Sequence, residues 1–126
     1  MTQDLKDLKE HLEEALSTLR DRAHALIAAI AAHAEARLAY ESAMDALEDA
    51  RARAILGGLE GRNAEARQAE LLERTREEEE ALRTARAVYR VAEANLEMAR
   101  TAWALEREAV RVLTLLAGSS GPAPEG

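Results

Sequence analysis

Cysteine is absent, which excludes disulfides, thiolate nucleophiles and cysteine-based zinc sites. Phenylalanine is absent as well, tryptophan occurs once and tyrosine twice, yet 48% of the residues are apolar. That apolar content is therefore mostly alanine and leucine, both strong helix formers. Both prolines, Pro122 and Pro124, lie at the far end, and the only glycines before Gly118 are Gly57, Gly58 and Gly61. No uninterrupted apolar run approaches the roughly 18 residues of a membrane span. The first residues, MTQDLKDLKE, have neither the basic start nor the apolar core of a secretory signal, so a cytoplasmic location is expected. What is present is an acidic chain of 126 residues, net charge −7, of one domain's size.

With so few breakers, nothing stops a helix from about residue 4 to 56 or from about 64 to 117. Runs longer than about 25 residues point to a coiled coil or helical hairpin. Thr2 is placed to cap the first helix, with Asp4 in its first turn, and Asn63 to cap the second, with Glu65 following. Residues 57–63 supply a turn rich in residues able to take positive φ. Gly118 is a candidate stop, and residues 119–126 are expected to be a disordered tail. The hairpin domain is thus residues 1–118.

The second helix carries a heptad stripe: Leu82, Ala85, Tyr89, Ala92, Leu96, Ala99, Trp103, Glu106, Val110, Leu113 and Ala117. A second stripe runs beside it through Val88, Val91, Asn95, Met98, Ala102, Leu105, Ala109, Val112 and Leu116. In the first helix Leu5, Leu8, Leu12, Leu16 and Leu19 lead into Ala23, Leu26, Ile27, Ile30, Ala31 and Ala34, thinning towards Tyr40, Met44 and Leu47. Folding at residue 60 sets position i against about 120 − i, so that rich zones meet rich and thin meet thin. The expected fold is all-α: an antiparallel two-helix coiled-coil hairpin. Its double-width apolar face calls for self-association, most simply as a dimeric four-helix bundle with Tyr89, Leu96, Trp103, Val110 and Leu113 as oligomer core. The alternative is a monomer whose helices break and fold back.

Candidate chemistry is sparse. His11, His24 and His33 all lie on the first helix; Asp7 and His11 have salt-bridge spacing, and Asp21 and His24 share a face. A dimetal bundle would need Glu-x-x-His on two helices, but the second helix has no histidine, so no metal is expected. Ser17, Ser42, Ser119 and Ser120 form no nucleophile elbow, and the glycine turn lacks the Lys-Ser/Thr of a phosphate loop. Neither catalysis nor a cofactor is expected.

Charge is more informative. Glu73 and Glu77, Glu78, Glu79 and Glu80, offset by Arg74 and Arg76, carry −3, and fold-back sets Glu41, Asp45, Glu48 and Asp49 beside them. This acidic collar would be either a solvated surface laced with pairs such as Arg76–Glu80 and Glu79–Arg83, or a docking surface for a basic partner. At the turn end, Arg51, Arg53, Arg62 and Arg67 make a mildly basic tip with no aromatic nearby for stacking bases. Nucleic-acid contact there would be weak and salt-sensitive.

The stretch from Gly61-Arg62-Asn63-Ala64 through Arg67, followed by Leu82, Ala85, Ala92, Leu96, Glu97, Ala99 and Arg100, resembles short helical-hairpin proteins of bacteriophages and prophages. These carry a Gly-Lys/Arg-Asn-Ala turn, an arginine one turn later and then a charged Ala/Leu-rich helix. The resemblance covers about residues 56–105. It implies an accessory protein acting in the host cytoplasm, in phage DNA metabolism or phage–host conflict. The expectation from the whole sequence is a non-enzymatic interaction module that self-associates and docks an unidentified replication, recombination or defence protein through its turn end or acidic collar. A nucleic-acid-binding factor using the arginine tip and a structural spacer are the alternatives.

Overall fold

The computed structural model describes residues 2–119; residues 120–126 of the expected tail lie outside the described residues. The chain is all-α, with helix α1 at Thr2–Leu56, α2 at Ala64–Arg74 and α3 at Arg76–Ser119, and no strand among the described residues. Fifty-five consecutive residues without glycine or proline account for the unbroken α1. α3 runs through Gly118 to Ser119, so Gly118 does not stop the helix as expected.

Two compact units divide the structure. One combines residues 1–30 with 95–126, the other is residues 31–94. In the first, Ala15 and Leu96 are buried, flanked by half-buried Leu12, Leu19, Leu26, Trp103, Val110 and Leu113. In the second, Ala36, Leu47, Ala50, Thr75, Leu82 and Ala92 are buried. Every member of the heptad stripe from Leu82 to Ala117 is buried or half-buried. Of the expected α1 stripe, Leu16, Ile27, Ile30, Ala31 and Ala34 are exposed; at the first of these Ala15 turns inward in place of Leu16.

The second long helix is not continuous, contrary to expectation: it breaks at Thr75, the one fully buried polar residue among those described. Both the backbone N–H and the hydroxyl of Thr75 donate to the Leu71 carbonyl, at 3.1 and 2.8 Å. A side-chain donor bonding back one turn loads that carbonyl twice; the exposed Thr114 makes the same bond to the Val110 carbonyl within an unbroken α3, so the break goes with the burial of Thr75 and not with the bond alone. Thr75→Val keeps the shape and removes the hydroxyl, so it is expected to cost about 1 kcal/mol, read by urea unfolding. An unchanged midpoint would show that the hydroxyl bond contributes nothing.

The reversal between α1 and α2 is a hydrogen-bonded structure. Asn63 caps α2, its side-chain oxygen accepting from the Ala66 N–H at 2.8 Å. The Glu70 carboxylate accepts from the N–H groups of Glu60 (2.8 Å) and Gly61 (3.0 Å). Arg74 pairs with Glu70 at 2.7 Å and donates to the Gly58 carbonyl, while Arg67 donates to the Gly61 carbonyl. Gly58 takes φ +87°, the left-handed region that favours glycine. The segment from Gly58 to Gly61 therefore lies along α2.

This shifts the fold-back register. Arg51 of α1 bonds Glu79 of α3, and Tyr40 stacks on Tyr89. Reversal at residue 60 would have set Arg51 near residue 69 and Tyr89 near residue 31; Tyr89 also meets His33, two residues from that position, so the displacement is greatest near the turn. The pivot sits a turn later, because the chain after Leu56 travels as an extended segment before it turns at Asn63.

Candidate functional site

In the unit of residues 31–94 the shifted register redraws the acidic collar. Arg51 and Glu79 form an ion pair at 2.7 Å, which brings Glu48 and Asp49 level with the Glu77–Glu80 run. Glu41 is displaced towards the Tyr40–Tyr89 level, where it pairs with Arg37 at 3.1 Å. Glu73 pairs with Arg76 at 3.7 Å. The expected Arg76–Glu80 and Glu79–Arg83 pairs do not form among the described residues. Asp45, Glu48, Asp49, Glu77 and Glu80 are exposed and Glu78 is half-buried, and none of the six makes an ion pair among the described residues.

The break at Thr75 gives the glutamate run a local reason. It places Glu77, Glu78 and Glu79 in the first turn of α3, where the helix dipole favours negative charge. The run is thus favoured locally, with Glu77 and Glu80 exposed and Glu78 and Glu79 half-buried. Beside it, a shallow depression lined by Leu72, Arg76, Glu79, Glu80 and Arg83 offers both signs of charge around one leucine.

The arginine tip is largely occupied. Arg51 holds Glu79, Arg53 donates to the Asp49 carbonyl at 3.4 Å and Arg67 donates to the Gly61 carbonyl. Arg62 is exposed and has no such bond among the described residues. The tip and the collar, separate in the sequence reading, are joined through Arg51.

An aromatic stack went unrecognised in the sequence. His33 and Tyr89 have ring centroids 5.2 Å apart, Tyr40 and Tyr89 5.6 Å, and the Arg86 guanidinium lies over the Tyr40 ring at 6.0 Å. The seven-residue spacing of His33 and Tyr40 was the available signal. Partial removal from water pushes the Tyr89 phenol above its ordinary value, and the Glu93 carboxylate raises it further. The neutral phenol therefore persists further into alkali than a free tyrosine.

His11 and His24 are exposed; Asp7 accepts from Gln3 at 3.1 Å rather than pairing with His11, and Asp21 and His24 make no ion pair among the described residues. No cluster of three or more His, Asp or Glu side chains able to hold a metal ion occurs among the described residues. No helix there is long and apolar enough to cross a membrane. Of the residues expected in an oligomer core, Leu96 is buried and Tyr89, Trp103, Val110 and Leu113 are half-buried within the chain itself. The neighbouring stripe is the exposed one: Val88, Val91, Met98, Leu105, Val112 and Leu116.

No family model matches the chain, and no curated protein or solved structure is similar to it.

Proposed function

We propose that the protein is a non-enzymatic interaction module, a self-associating antiparallel helical hairpin that docks a basic protein segment on its acidic collar. The observation that carries this reading is the set of exposed carboxylates at Asp45, Glu48, Asp49, Glu77 and Glu80, without ion-pair partners among the described residues, on two helices tied by the Arg51–Glu79 pair. Such a surface attracts a cationic partner at long range and repels an anionic one. The phage resemblance suggests a host or phage protein of DNA metabolism or defence as partner. Nucleic acid as direct ligand has less support, because Arg51, Arg53 and Arg67 are engaged within the chain.

Glu77→Lys combined with Glu80→Lys leaves the Arg51–Glu79 pair intact and tests the collar. A partner captured from host lysate by the native chain at low salt should be lost by the double variant. It should also be lost by the native chain in about 0.5 M salt, where charges more than a few ångströms apart are screened. Retention by the double variant refutes the collar as docking surface. Retention of a single-stranded DNA oligonucleotide by the native chain, abolished by Arg62→Ala, would establish the nucleic-acid reading instead.

A further inference from the structure

The chain has no cysteine, so no disulfide can join its helices, and Tyr40 and Tyr89 are its only tyrosines. Tyr40 comes from α1 and Tyr89 from α3, both within the unit of residues 31–94. Their rings lie 5.6 Å apart between centroids and 13° from parallel. A near-parallel pair at that separation is offset, with ring carbons of one side chain set against those of the other. His33 packs against Tyr89 and the Arg86 guanidinium lies over Tyr40, so both rings have neighbours that hold them in the pair. Each tyrosine is half-buried: kept in place, yet open on part of its surface to a small reagent.

Packing explains the stack, but two phenols held together also share a reactivity. A phenol that gives up one electron and its proton becomes a neutral phenoxyl radical, with much of the unpaired spin on the carbons ortho to oxygen. Two such radicals in contact join by a carbon–carbon bond between ortho positions. Each ring then passes the displaced ortho hydrogen to its own oxygen, which restores both phenols. The balance is one carbon–carbon bond formed, two ring C–H bonds broken, two electrons passed to the oxidant and two protons to water. The Glu93 carboxylate, one turn beyond Tyr89, acts on that phenol and is a ready acceptor for the proton that leaves with the electron.

We infer that Tyr40 and Tyr89 are an oxidative cross-linking site, coupled into an intramolecular dityrosine by one-electron oxidants such as a peroxide-activated haem. Proximity carries the inference: groups already in contact need not find each other, which raises the rate at which they join. The bond closes a loop from residue 40 to residue 89. Asp45, Glu48, Asp49, Glu77 and Glu80 all fall inside it, so oxidation fastens the two halves of the collar to each other. None of this depends on what the collar binds.

The native chain, diluted to favour reaction within one molecule, is illuminated with ruthenium tris(bipyridyl) and persulfate, which takes up the electrons as it is reduced to sulfate. The expected product shows dityrosine fluorescence, runs as a single chain on a denaturing gel and has lost the mass of two hydrogens. Trypsin should release residues 38–51 and 87–90 as one covalently joined peptide, since cleavage after Arg37, Arg51, Arg86 and Arg90 isolates the two tyrosines. Oxygen added at a methionine raises the mass instead, which tells it apart. In urea strong enough to unfold the chain the yield should fall about tenfold, because the proximity is gone. Tyr40→Phe keeps a ring at the same place and should give no joined peptide. The coupled chain should also melt roughly 10 °C above the untreated one, because the bond restricts the unfolded state. Equal yields from folded and unfolded chain overturn the assignment. So does a product found only between chains at this dilution, or oxidised tyrosines that are never joined. An unchanged melting temperature in the coupled chain would refute the fastening of the collar.

Discussion

Gly61→Ala is expected to destabilise the protein by about 3 kcal/mol, lowering the melting temperature by roughly 10 °C. A methyl group at this position would sit 2.5 Å from the Arg67 nitrogen, 2.7 Å from the Ala66 carbonyl carbon and 2.9 Å from the Arg67 Cα. All three are backbone atoms of α2, so no side-chain rotation relieves the clash. The turn would have to move away from the helix. That movement would stretch the bonds from the Glu60 and Gly61 N–H groups to Glu70 and the bond from Arg67 to the Gly61 carbonyl. Gly118→Ala serves as control: nothing lies within 4 Å of its added methyl, and alanine is a better helix former. Thermal unfolding followed by circular dichroism checks both. Equal melting temperatures for the two variants would mean that the close approach of the turn to α2 is not part of the folded state.

Leu47→Ala and Leu96→Ala are each expected to cost about 3 kcal/mol, within the usual range for truncating a buried leucine. Leu47 is 4% exposed and Leu96 6%, which makes them the most deeply buried leucines among the described residues, one in each unit. Leu105→Ala on the open face should change the stability of the isolated chain by less than about 0.5 kcal/mol, since 68% of that residue already contacts water. Denaturant titration at high dilution makes the comparison. Equal losses at Leu96 and Leu105 would mean that the register of α3 against its own chain is wrong. Trp103 is a weaker probe than its size suggests. It is half-buried, and the Arg107 guanidinium rests 4.6 Å from the ring centroid, so part of its surface is covered by an adaptable side chain.

The candidate surfaces were legible in the sequence only in part. The Glu77–Glu80 run and the arginines near the turn stand out as residues, but their partners do not. Arg76 was free on spacing alone to pair forward with Glu80 or back with Glu73, and both are exposed contacts of similar worth. It pairs back with Glu73. Arg51 had no reason in its own helix to meet Glu79, 28 residues away. The spacing of His33 and Tyr40 puts those two on one face of α1, but the stack needed the register between helices, because Tyr89 is the ring that both contact.

What the sequence determined by itself was the helical local structure and the inward face of residues 82–117. Long runs of alanine and leucine without glycine or proline make helices wherever they occur, and Asn63 caps one through a bond to a residue three positions away. The heptad stripe from Leu82 to Ala117 is covered throughout, because residues at steps of three and four stay on one side of a helix under any arrangement. The tertiary structure alone decided where the chain pivots and where the second helix breaks. Three contacts set the pivot: Glu70 capturing the Glu60 and Gly61 N–H groups, Arg74 holding the Gly58 carbonyl and α2 closing on Gly61. Burial of Thr75 turned its hydroxyl onto the Leu71 carbonyl, a choice that in water is open to any threonine and is fixed here by the exclusion of solvent.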